Sequence, residues 1–100
     1  MRYRTRPGAV LAKICGEYLL VAAQSLRDSL PYVTQLNESS AFLWKKLEDG
    51  ADEQMLEQSV LEEYEVEDER EARAAIHDFV EQMRSAGYLI EDGEGEKTNE

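Results

Sequence analysis

Arg70, Arg73, His77 and Arg84 recur at intervals of three, four and seven residues, the spacing that gathers side chains along one side of a helix. At about 100° per residue they fall within a band roughly 60° wide. Guanidiniums and an imidazole so arranged can hold acidic side chains or a phosphate backbone, Arg through its forked donors. For any one Arg the simpler reading is a surface pair with a nearby Glu, which contributes ~0–1 kcal/mol. A lone His is ordinarily a boundary residue. As a stripe beside an apolar face, the set is a candidate binding edge.

No other chemistry is visible. One His and one Cys make no transition-metal set. The acidic run from Glu62 to Glu69 lacks the alternating ligands and Gly of a calcium loop. No phosphate loop and no nucleophile with its base and carboxylate can be found, so a non-enzyme without cofactor is expected.

The stripe needs a helix to carry it. Ala72, Ala75, Ile76, Phe79, Val80, Met83 and Ala86 form an apolar face over about 69–86. Asp68 with Glu71 resembles a capping box, and Gly87 is a stop. Two shorter helices precede it. One starts at Asn37, carries Ala41, Leu43, Trp44 and Leu47, and ends at Gly50; the other, capped by Asp52, carries Met55, Leu56, Val60 and Tyr64. The first third reads as strand: Ala9 to Ile14 and Glu17 to Ala23, joined by Cys15-Gly16, then a polar loop from Gln24 to Pro31, then Tyr32 to Leu36. Short links favour an antiparallel meander. Tyr88-Leu89-Ile90 is a short apolar return against the sheet.

The 100 residues suit one domain. With 22 acidic and 11 basic side chains, the net charge of −11 disfavours nucleic acid and anionic lipid. Cys15, within apolar residues, reads as a small buried hydrophobe. No signal peptide or membrane span is expected, and the location expected is cytoplasmic. Residues 1–7, with Arg2, Arg4 and Arg6, are set apart as a basic arm. Residues 92–100 read as a disordered acidic tail.

The stretch from Leu36 through Asn37, Ser40, Ala41, Leu43, Trp44 and Leu47 to Asp49-Gly50, continued by Leu56, Leu61, Tyr64 and Ala86-Gly87-Tyr88-Leu89-Ile90, resembles the PqqD-like family over residues 8–91. These are recognition elements for ribosomally made, modified peptides. The resemblance implies an α+β fold, a three-stranded antiparallel sheet followed by three helices in a winged helix-turn-helix arrangement. It implies a leader peptide added as a strand to the third strand, beside the third helix, and a partner enzyme, often a radical S-adenosylmethionine enzyme. On that basis Tyr32, Val33, Thr34, Gln35 and Leu36 are expected as the augmenting edge. Ile76 and Val80 are expected as an apolar pocket, and Arg73, His77 and Arg84 as steering charges. A homodimer through the same edge is a further expectation. The alternatives are a winged-helix DNA-binding regulator and a subunit that docks on an enzyme without touching peptide.

Overall fold

The computed structural model describes residues 1–92. In order these form β1 (Tyr3–Thr5), β2 (Ala9–Ile14), β3 (Glu17–Ala22), β4 (Val33–Leu36), α1 (Glu38–Glu48), α2 (Glu53–Glu63), α3 (Glu69–Ala86) and β5 (Leu89–Glu91). Of the expected tail, only Asp92 lies within the described residues.

Strands β2, β3 and β4 make the antiparallel meander, in that spatial order. Strict alternation separates its faces. Leu20, Ala22 and Leu36 are buried against the helices, whereas Val10 and Val33 are exposed on the far side. The β2–β3 turn has φ of 53° at Cys15 and 80° at Gly16, the two positive values of a type I′ hairpin. Cys15 is therefore exposed, contrary to the burial expected of it. A two-residue turn projects past the sheet and leaves its side chain nothing to pack on.

The segment Gln24 to Pro31, expected to be plain loop, contains a 3-10 turn at Gln24–Leu26. Leu26 and Leu30 are buried, so the connection covers part of the core.

Each helix starts on the cap its sequence offered. The Asn37 side-chain oxygen accepts from the Ser40 amide at 2.8 Å, Asp52 from Met55 at 2.7 Å, and Asp68 from Arg70 at 3.0 Å. Gly87 closes α3 at φ 98°, a left-handed position that costs glycine little. Trp44, Leu47, Leu56 and Val80 meet Leu20 at the centre of the core. The Trp44 indole N–H donates to Glu48 at 3.2 Å.

Residues 1–7 are not a free arm. β1 pairs antiparallel with β5, Tyr3 opposite Glu91, in a two-stranded sheet separate from the meander. Tyr3 is buried and exchanges backbone hydrogen bonds with Ala51 at 2.8 and 2.9 Å. The Arg2 guanidinium donates to the Gly50 carbonyl at 3.0 Å and Arg6 to the Gly87 carbonyl at 3.3 Å. The two arginines that flank β1 thus supply donors where α1 and α3 run out of partners. Arg2 and Arg4 also approach Asp92, at 3.8 and 3.7 Å. The apolar return at 89–91 consequently meets β1 rather than the meander.

Candidate functional site

Strand β4 is an outer strand of its sheet, and hydrogen-bond parity decides which of its groups are free. The Ala22 amide donates to the Tyr32 carbonyl at 2.9 Å, and the register continues with Leu20 opposite Thr34 and Tyr18 opposite Leu36. In an antiparallel ladder, alternate residues turn their backbone groups to the same side. Tyr32, Thr34 and Leu36 therefore face β3, and Val33 and Gln35 present N–H and C=O to the open side.

Side chains hold this edge in place. The Thr34 hydroxyl lies 2.7 Å from the buried Tyr88 hydroxyl, and the Tyr88 ring packs edge-on against Trp44 at 6.0 Å. That chain of contacts ties β4 to α1 and to Tyr88, just past the Gly87 that caps α3. Leu36 is buried beneath the sheet, while Val33 is half exposed. The Gln35 amide donates to Glu17 on β3. Tyr32 lies just before the strand, exposed, with the Arg27 guanidinium 3.8 Å from its ring centre.

Beyond Leu36 a groove of about 470 Å³ opens between the start of α1 and the side of α3. Ala72, Ala75 and Phe79 form its α3 wall, and Ser40 and Leu43 its α1 wall. Val60 and Tyr64 close the end, with Tyr64 edge-on to Phe42 at 5.4 Å. The groove exists because alanines stand where larger side chains would fill it. Burial, then the charges of Glu38 and Glu63, push the Tyr64 phenol pKa up.

The α3 residues expected to make the site divide among three directions. Ile76 lines the groove but is nearly buried, and Val80 is wholly buried in the core. Val80 is therefore a core residue and no part of an accessible pocket. Arg73 and His77 lie on the other flank, against α2: Arg73 pairs with Glu57, and His77 Nδ1 stands 3.0 Å from both Glu53 carboxylate oxygens. Arg84 pairs with Glu81 at 2.6 Å. The stripe is real as a pattern, but acidic partners answer Arg73, His77 and Arg84, and none of its residues lines the groove. Helical period puts Ala75 and Phe79 on the apolar face of α3 without marking them as lining. Their signal was the pair of small residues Ala72 and Ala75 on one side of an otherwise bulky face.

Glu53, His77 and Glu81 bring one potential ligand atom each within 4.8 Å of one another. The hydrogen bond His77 donates to Glu53, then the Glu53 charge, raises the His77 pKa above its ordinary value. Glu53 comes from α2, so sequence spacing along α3 could not show this cluster. Its groups are engaged in ion pairs with one another and with Arg84.

A three-stranded meander followed by three helices, with an outer strand beside an apolar groove, makes this a small α+β domain of the winged-helix type. The family described as Coenzyme PQQ synthesis protein D (PqqD) matches residues 29–89, and the chain belongs to that family. Among solved structures, one described as "Lasso peptide synthetase B1 complexed with the leader peptide" superimposes with a TM-score of 0.68 at 25% identity, covering 88% of this chain and 96% of that one. Another, "TbiB1 in Complex with the TbiA(beta) Leader Peptide", gives a TM-score of 0.68 at 21% identity, covering 86% and 93%; that likeness shows the fold. No curated protein matches the sequence. No helix among the described residues is long and apolar enough to cross a membrane.

Proposed function

We propose that this protein is a non-catalytic module that captures the leader of a ribosomal precursor peptide by strand addition to β4 and presents it to a modifying enzyme. The open backbone groups of Val33 and Gln35, on a strand that leads into Asn37 at the edge of an apolar groove, carry the reading. The added strand bonds to those groups, and its side chains descend into the space beside Ala75 and Phe79. Family membership and the likeness to a synthetase subunit complexed with a leader peptide support it. The enzyme that acts on the held precursor is a separate partner, of the radical S-adenosylmethionine class. The DNA-binding alternative loses its main support, since Arg73, His77 and Arg84 already face carboxylates.

The test is titration of a labelled leader, taken from a precursor peptide encoded beside this gene, against two proline variants. Val33→Pro removes an N–H that only an added strand would use, and an outer strand tolerates it. Thr34→Pro instead removes an N–H bonded to β3 and should lower stability. The expected result is a Val33→Pro protein that stays folded and binds at least tenfold more weakly. Unchanged binding by that variant would refute strand addition. Sedimentation without peptide reports whether a second copy occupies the same edge.

A further inference from the structure

Among the residues that line the groove, Asp78 is the one charged group. It is exposed, and it has no ion pair among the described residues. The acidic character continues at both ends. Past Ala72 the surface dips between Glu65, Glu67, Asp68 and Glu71. Toward β4, Glu17 and Glu38, with Lys13, border the depression that holds Gln35, Leu36 and Asn37. Nearby cations are occupied with aromatic rings: Lys13 and Lys45 stand over Tyr18 at 5.1 and 5.7 Å, and Lys46 over Phe42 at 5.3 Å. The helix α3 sends Arg73 and His77 to its other flank, where Glu57 and Glu53 take them up.

From this arrangement we infer that the segment seated along β4 and in the groove carries Lys or Arg beside its apolar anchors. The inference rests on the peptide-capture reading and adds the chemical class of the peptide, opposite in sign to what the arginine stripe led one to expect. An apolar residue fills the space by Ala75 and Phe79, and a neighbouring cation lies over Asp78. An acidic residue at the same place would meet the like charge of Asp78, which disfavours the wrong partner more than it weakens the right one. The chain's net charge of −11 adds long-range attraction for a cationic segment and speeds encounter.

The probes are two labelled synthetic peptides of about eight residues, within the usual strand range. Both share an alternating Leu, Tyr and Val framework; one has Lys and the other Glu at the intervening positions. At low salt the Lys peptide should bind about tenfold tighter or better, a difference of ~1.4 kcal/mol, and the gap should narrow as salt shortens the screening length. Asp78→Asn should weaken the Lys peptide severalfold and strengthen the Glu peptide. Asp49→Asn, at the opposite end of α1, should change neither and controls for the overall charge. Circular dichroism checks that both variants remain folded.

Equal binding of the two peptides, a preference for Glu, or equal effects of Asp78→Asn and Asp49→Asn would overturn the charge inference. So would failure of both peptides to bind. Loss of binding in Val33→Pro with no charge preference leaves strand capture standing and removes this inference alone. A Lys preference that depends on Asp78 but survives Val33→Pro does the reverse.

Discussion

His77 and Glu53 link two helices by one interaction whose strength depends on pH. The imidazole Nδ1 sits 3.0 Å from both carboxylate oxygens, so protonation turns a hydrogen bond to a carboxylate into an ion pair. The hydrogen bond to Glu53 and its charge raise the pKa most; burial opposes them, and Glu81 and Asp78 add smaller upward pushes. A folded pKa above the unfolded value of ~6.5 stabilises the fold in full below that value, and the gain is lost as pH rises through the folded pKa. An NMR titration should place the His77 pKa above 6.5, and Glu53→Gln should move it back down. Thermal stability of the wild type should fall across that window, and His77→Gln should flatten the fall. The same residue scale accounts for the misdirected reading of the stripe. Arg73 and His77 were correctly grouped by helical period, but period cannot say which neighbouring element a flank meets.

At the scale of elements, local chemistry wrote most of the boundaries. Asn37, Asp52 and Asp68 each cap the helix that follows, because a side-chain acceptor can satisfy an amide that the helix itself leaves unpaired. The β2–β3 hairpin was legible from Gly16, yet Cys15 also adopts a positive φ, a conformation that costs most L-residues ~1–2 kcal/mol and Asn less. Cys15→Asn should therefore stabilise the protein by ~0.5 kcal/mol, raising the thermal midpoint by about 2–4 °C. Scanning calorimetry would show it, and a lower midpoint would mean that the turn has another constraint. The open edge of β4 also belongs to this scale. Meander order predicted an outer third strand, whereas the pairing of Ala22 with Tyr32 decides that Val33 and Gln35, not Thr34, are its available residues.

The whole molecule is closed by its first residues. β1 carries Tyr3 into the core and gives β5 its partner, while Arg2 and Arg6 reach the carbonyls that follow α1 and α3. Tyr3→Ala should cost ~3 kcal/mol by the measure of aromatic truncations in a core. Urea unfolding would read this as a lower midpoint at nearly unchanged slope. A cost below 1 kcal/mol would mean that β1 is dispensable. Closure of the chain ends also fixes Tyr88, whose hydroxyl meets Thr34 and so helps hold the β4 edge. Removing β1 should accordingly affect the candidate site as well as the core.

The sequence by itself determined the α+β class, the order of three meander strands and three helices, their caps, and the central apolar residues Trp44, Leu47 and Leu56. These follow from interactions among residues close in the chain and from the period with which apolar side chains return. Only the tertiary structure decided that Tyr3–Thr5 pairs with Leu89–Glu91, that Val80 belongs to the core, and that Arg73 and His77 of the stripe face α2. It alone made the groove, from Ala75 and Phe79 on α3 and Leu43 on α1. Such features depend on which flank of one element meets another across dozens of residues. That choice is settled by packing the whole core at once, and no local spacing encodes it.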